Sequence, residues 1–184
     1  MAQVGGYTIE MLERFPNDGK RYEILDGTLI VTPAPSLAHQ RVQWSVGRSL
    51  GLYLDAHRVG QIWFGPADVI FGRHTLLEPD LMVTLGDAAR RARSWRDLPD
   101  PALAVEILSP SSARHDRGAK RERYLTRVAE YWVVDIEARL IERWRQGDVR
   151  PSIHRETLEW QPVLSVPPLT VSVPELFADL PEPE

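Results

Sequence analysis

The apolar positions of this chain change period along its length, and each change marks an element. Strict alternation comes first, in RYEILDGTLIVT, where Asp26-Gly27 separates two short runs. An Asp-Gly pair between alternating runs predicts a hairpin, with strands over Arg21–Leu25 and Thr28–Thr32. On the first strand Tyr22 and Ile24 face one way, Glu23 and Leu25 the other. Glu23 is therefore either a solvent-facing residue or an acid turned toward a site. Before the hairpin, Thr8 can cap a short helix over Ile9–Arg14, closed by the turn signals Pro16-Asn17-Asp18-Gly19. After Pro33-Ala34-Pro35-Ser36 the period becomes helical. Val42, Val46, Leu50 and Leu54 share one face of a predicted helix over Leu37–Ala56, with His39 in its first turn.

Strand patterns then return. Gln61–Phe64 and Ala67–Phe71 are broken at Gly65-Pro66, and a turn at Gly72-Arg73-His74-Thr75 leads to a strand over Asp80–Leu85. A loop, GDAARRARSWRDLPDP, precedes the apolar strand Ala102–Leu108. Ser109-Pro110-Ser111-Ser112 ends that strand, and a helix is expected over Asp116–Arg127 with Asp116 as its cap. Glu130–Asp135 reads as a core strand, Arg139–Arg145 as its hairpin partner and Arg150–Glu156 as a third strand. A proline-rich end follows, with Pro174-Glu175-Leu176-Phe177 as a short helix. Together these predict an α/β fold, a central mixed β-sheet flanked by helices with an added N-terminal hairpin.

Composition narrows the picture. A chain of 184 residues, 43% hydrophobic, is expected to form one domain over 1–184. Its core would span about 20–146, with C-terminal strands and the proline-rich tail over 147–184. Cysteine is absent, which rules out disulfides and cysteine-ligated metal. No secretory pattern opens the sequence, and no apolar run approaches the ~20 residues needed to span a bilayer. A cytoplasmic location away from membranes is the expectation. Net charge is −4, so the surface as a whole does not attract nucleic acid. Arginines nonetheless cluster at Arg90, Arg91, Arg93 and Arg96 beside Trp95, and again from Arg114 through Arg117 to Arg127. Arg91, Arg93 and Arg117 are the candidate nucleic-acid contacts, although solvated faces are the commoner use of such clusters.

The informative chemistry lies between Glu78 and Asp135. Asp80 opens one apolar strand and Glu106 sits inside another. An ionised carboxylate in so apolar a strand must pair, bind a metal or take up a proton. On the Glu106 face Ala102 and Ala104 would leave room for a ligand. Two carboxylates on neighbouring strands suit magnesium, which takes oxygen ligands and keeps waters, and Lys120 could reach inward from the following helix. Lys120 and Tyr124 share a helical face. Asp68 is a weaker acid candidate on an apolar strand. By residue types alone an Asp, Glu and Lys set is unspecific. Neither G-x-S-x-G, H-E-x-x-H nor a phosphate-binding glycine loop is present. His57, His74, His115 and His154 are scattered and read as surface or packing residues.

Six segments in order carry a resemblance: YEILDG, LAHQ, PDLMV, VEILSPSS, HDRGAKRERY and EYWVVD. In these the chain resembles the Uma-type restriction endonuclease family of the PD-(D/E)XK superfamily, over about residues 7 to 146. The resemblance implies a restriction-endonuclease-like core and divalent-metal-dependent hydrolysis of phosphodiester bonds, with DNA as substrate and a homodimer as the assembly. It assigns Asp80 and Glu106 as metal ligands, with the Ile107 carbonyl, for magnesium or alternatively manganese. It further implies Lys120 as the catalytic lysine, Glu23 as a further acid, and His39 and Tyr124 as supports. Two departures stand out. Leu108 occupies the place of the usual E-x-K lysine, so Lys120 must reach the site from its helix. The stretch from Tyr124 to Trp132 is one residue short and lacks the family's glycine. The competing expectation is a non-catalytic domain that keeps the fold and binds nucleic acid or a partner, and a third is a phosphatase for small molecules.

Overall fold

Asp26 and Gly27 turn the chain with φ of 49° and 79°, the left-handed pair that a two-residue hairpin needs. Across that turn β1 (Arg21–Leu25) and β2 (Thr28–Thr32) pair in full register, from Arg21 opposite Thr32 to Leu25 opposite Thr28. The computed structural model describes residues 6–12, 14–110 and 112–181. The first helix, α1, covers Ile9–Leu12; the rest of the helix expected to Arg14 falls on a turn and on Glu13, outside the described residues. The long helix α2 runs Leu37–His57, with the Ser36 hydroxyl accepting from the His39 N–H as its cap. Then come β3 (Gly60–Phe64), β4 (Val69–Gly72), β5 (Thr75–Leu77) and β6 (Leu81–Leu85).

The arginine-rich stretch expected to be an irregular loop contains α3 (Gly86–Arg91) and a 3-10 turn at Trp95–Asp97. The Asp97 carboxylate accepts from the backbone N–H and the hydroxyl of Ser94, a local capping arrangement that orders this turn. β7 follows at Leu103–Ile107 and a broken helical segment, α4 (Ala113–His115) and α5 (Arg121–Tyr124), precedes β8 (Glu130–Asp135) and β9 (Leu140–Arg145). Beyond them lie β10 (Ser152–His154), β11 (Thr157–Trp160), β12 (Leu169–Ser172) and α6 (Val173–Leu176). The strands β5, β11 and β12 have no counterpart in the sequence reading, because each is three or four residues long and too short to show a period.

Six strands form the central sheet in the order β10-β9-β8-β7-β6-β3. Only β7 and β8 are parallel, so the sheet is mixed. The N-terminal hairpin does not extend it. β5 pairs with β1 and β4 instead, giving a separate four-stranded sheet, β2-β1-β5-β4. Alternation along β7 divides the core. Leu103, Val105 and Ile107 pack with α2 residues Val42, Val46, Leu50 and Leu54 and with Trp160 and Phe177. Ala104 faces the other way, into a cluster with Leu25 and Leu77 of the small sheet and with Tyr124 and Tyr131. Glu106 shares that second face. None of the described helices is long and apolar enough to cross a membrane.

Candidate active site

Glu106 enters the interior because β7 is buried on both faces, and its side chain leaves the strand on the Ala104 side. The room expected beside Ala104 is filled: Ala104 is buried in a cluster with Tyr124 and Tyr131, whose rings stack with centroids 5.0 Å apart. Tyr124 donates its hydroxyl to Glu106 Oε1 at 3.1 Å. Ligand access to Glu106 is therefore from the strand end, past Ile107 and Ser109.

Lys120 closes that end. Its ammonium lies 2.7 Å from Glu23 Oε2, 3.3 Å from Glu106 Oε1 and 3.4 Å from Asp116 Oδ1. Burial opposes the ammonium, but Glu106, Glu23 and Asp116 outweigh it and hold the Lys120 pKa above the ordinary lysine value. The continuous helix expected over Asp116–Arg127 is not what delivers it. Residues Asp116–Lys120 form a π-helical turn, and Gly118 within it leaves helical geometry at φ −107° and ψ −113°. Such wide turns recur at functional sites. Here the turn buries Asp116 and Lys120 side by side, so Asp116 is a member of the charged cluster rather than an exposed cap. Lys120 thus reaches the Glu106 carboxylate although Leu108 stands in the usual lysine position and the Tyr124–Trp132 stretch is short.

Asp80 precedes β6 and has a different shell. Its Oδ1 accepts from Arg21 at 2.9 Å; its Oδ2 accepts from the Ile107 N–H at 2.7 Å and lies 3.0 Å from His39 Nε2. Burial would raise the Asp80 pKa, but His39, Arg21 and the Ile107 N–H together hold it below the usual carboxylate range. His39 therefore belongs to the site, and the α2 entry sequence positions it. Glu23 is fully buried and also accepts from the Glu78 N–H at 2.9 Å. The sequence reading missed Arg21, Glu78 and Asp116. Each had a usable signal: Arg21 and Glu23 are alternate residues of one strand, Glu78 stands two before Asp80, and Asp116 stands one helical turn before Lys120.

Two cavities meet at this cluster. One, about 700 Å³, is walled by Phe15, Lys20, Glu78, Trp95 and Arg96; the other, about 340 Å³, by Glu106, Ser109, Asp116 and Lys120. Arg21, His39 and Asp80 line both. Asp68 lines the larger cavity, with its pKa raised by burial against the pull of Arg96. Arg91 and Arg93 are exposed and do not line it, and Arg117 is engaged inside the chain by Asp135 and Glu142 at 2.6 and 2.7 Å. Arg96 and Lys20 line the larger cavity, with the Lys20 ammonium held by Asp18 at 2.8 Å. Ser112 lines the smaller cavity; Ser111 lies outside the described residues.

Whether these residues suit a divalent cation can be judged from their charge. Among the described residues, Asp80 is paired with Arg21, and Glu23, Glu106 and Asp116 share the single ammonium of Lys120. Burial, reinforced by Asp116, Asp80 and Glu23, keeps the Glu106 pKa well above normal despite Lys120, and burial likewise raises Asp116. Asp116 Oδ1 is buried without a hydrogen bond. The cluster is short of positive charge, which fits a cation taking two carboxylates. Among the described residues no three His, Cys, Asp or Glu side chains already converge on one point suited to a metal.

Comparison with known proteins gives three findings. The family model described as "Uma2: Putative restriction endonuclease" matches residues 9–176. An uncharacterized protein of Synechocystis sp. is 24% identical over 148 residues, covering 76% of this chain and 80% of that one. The crystal structure of a protein described as "a putative nuclease belonging to DUF820", from Anabaena variabilis, superposes with a TM-score of 0.75 at 19% identity, covering 94% of this chain and 98% of that one. The structural likeness establishes the restriction-endonuclease-like fold.

Proposed function

Because the chain belongs to the Uma2 family of restriction-endonuclease-like proteins, we propose that it is a divalent-metal-dependent endonuclease that hydrolyses phosphodiester bonds in DNA. The observation that carries this reading is the convergence of Lys120 on Glu106 from a separate helical turn, beside Asp80 at the junction of two open cavities. Asp80 and Glu106 would hold magnesium or manganese with the Ile107 carbonyl. Such an ion, once bound, supplies a Lewis acid and a water of lowered pKa.

The remaining work falls to the chain. His39, Arg21 and the Ile107 N–H hold the orientation of Asp80 through both of its oxygens. Tyr124 and Lys120 fix Glu106 from the opposite side. Lys120, held as an ammonium, can orient the attacking water or stabilise charge developing on the phosphate. Arg96, which lines the larger cavity, would meet the polyanion, and Lys20 beside it would have to leave Asp18 to do so.

A second reading is favoured by one observation: Lys120 and Arg21 already occupy the carboxylates from which a metal would have to be built. In that reading the domain binds nucleic acid without cutting it. Calorimetric titration of magnesium or manganese into the wild type and Glu106→Ala, followed by plasmid nicking, separates the two. Metal binding and nicking that disappear together in Glu106→Ala support the nuclease. A wild type that binds no metal removes that reading and leaves the binder.

A further inference from the structure

The candidate site is recessed. Asp80, Glu106 and Lys120 are 3%, 2% and 2% exposed, so a substrate reaches them through the cavities that they line. A third cavity, about 370 Å³, adjoins the one of about 700 Å³, and Asp68, Ile70, Trp95 and Arg96 line both. Trp95 and Arg96 thus stand at one junction of a continuous path, as Asp80 and His39 stand at the other.

The 700 Å³ cavity has the walls of a base pocket rather than of a phosphate pocket. Trp95, 36% exposed, rests edge-to-face on Trp63 with centroids 5.6 Å apart, and the Trp63 indole N–H donates to the Thr84 hydroxyl at 2.9 Å. Phe15 meets Tyr22 in the same manner at 5.0 Å, and the Tyr22 hydroxyl donates to Asp18 at 3.0 Å. Both aromatic pairs are held before any ligand arrives, which suits stacking on a planar base. Asp68 and Glu78 add two carboxyl groups to the same cavity. Carboxylates repel a phosphate but accept hydrogen bonds from the amino group of a base. Of the cations there, Lys20 is held by Asp18 and Arg21 by Asp80. Arg96, exposed beside Trp95, would serve a flanking phosphate. In an intact duplex each base face is covered by its neighbours and its pairing edge by its partner, so no base can meet such a wall. An unpaired base offers both.

We propose that the 700 Å³ cavity takes one unpaired nucleobase flanking the phosphate at Asp80, so that the chain acts on single-stranded or locally unpaired DNA in preference to intact duplex. The position of the phosphate rests on the nuclease reading; the base pocket is tested by binding alone. Fluorescence anisotropy of a labelled single-stranded oligonucleotide, and of the duplex of the same sequence, reads that binding with the full chain in EDTA and again in calcium. The wild type should bind the single strand roughly tenfold tighter than the duplex, the scale of one base–aromatic stack. Trp95→Ala should lose about that factor for the single strand and nothing for the duplex, while Trp95→Phe keeps most of the affinity. The single strand should also quench the tryptophan fluorescence of the wild type, and less so that of Trp95→Ala. Circular dichroism verifies that the variants fold, and magnesium calorimetry that Trp95→Ala leaves the Asp80 site as it was. A duplex bound as tightly as the single strand, a wild type that binds neither, or a Trp95→Ala that loses both alike overturns the pocket, even where the duplex is nicked in magnesium. A single strand bound as expected, with no DNA cut in magnesium, upholds the pocket and removes the nuclease reading.

Discussion

Lys120 Nζ stands 3.3 Å from Glu106 Oε1, with both side chains out of contact with solvent. A buried ammonium among carboxylates is tolerated because each sign pays for the desolvation of the other. Removing it strands the acids. In metal-free buffer Lys120→Ala is expected to destabilise the fold by about 3 kcal/mol, the scale of breaking a buried ion pair. Magnesium should recover part of that loss if it takes the vacated charge. Thermal denaturation with and without magnesium measures both; a variant as stable as the wild type would show that the cluster is not ionised as described.

Asp80 depends on His39 in a different way. Its Oδ2 lies 3.0 Å from His39 Nε2, which orients the carboxylate without adding a permanent charge. His39→Ala should leave the fold intact yet lower metal affinity roughly tenfold, the low end of the cost of losing a supporting hydrogen bond. Calorimetry reads this directly. Unchanged affinity in His39→Ala would detach His39 from the site.

How far the sequence disclosed this arrangement depends on the length of the pattern involved. The α2 helix and the β1–β2 hairpin are legible because their periods persist and Asp26-Gly27 marks the turn. Asp80, Glu106, Lys120, Glu23, His39 and Tyr124 are brought to one cluster, each sitting in a segment with its own recognisable pattern. Asp116 has the sequence signature of a helix cap; the π-helical turn around Gly118 changes which way it faces, and no periodicity foretells that. The separate four-stranded sheet depends on Ile24 pairing with Leu76, a long-range contact across the whole of α2. Arg91 and Arg93 drew attention as a charge cluster, whereas the chain turns Arg96 and Trp95 to the cavity.

Close backbone approach at β3 gives a packing prediction. A Cβ on Gly60 would fall 2.4 Å from the Thr84 carbonyl oxygen, and a paired strand cannot yield as a side chain can. Gly60→Ala should cost about 1–3 kcal/mol. Gly47→Ala meets the end of the partly exposed Phe64 ring and, at 3.4 Å, the Leu81 side chain, and gains helix propensity of about 1 kcal/mol, so its net cost should be smaller. Urea denaturation of the two variants ranks them; the reverse order would contradict the register of β3 on β6.

Glu78 ties stability to pH. Burial, with Glu23 and Asp68 adding repulsion and Arg21 and Lys120 opposing, pushes its pKa from 4.5 up to about 7. The folded chain therefore holds a proton on Glu78 that the unfolded chain has already released between those values. Stability from this group is full below the unfolded pKa and is lost as pH rises through about 7. The loss is roughly 2 kcal/mol once partial exposure is allowed for. Glu78→Gln removes the titration. In metal-free buffer the wild type should lose stability between pH values near the two pKa values, and Glu78→Gln should be flatter there and more stable on the alkaline side. Parallel curves for the two proteins would mean that Glu78 is ionised in the fold at neutral pH and that Arg21 and Lys120 prevail over burial.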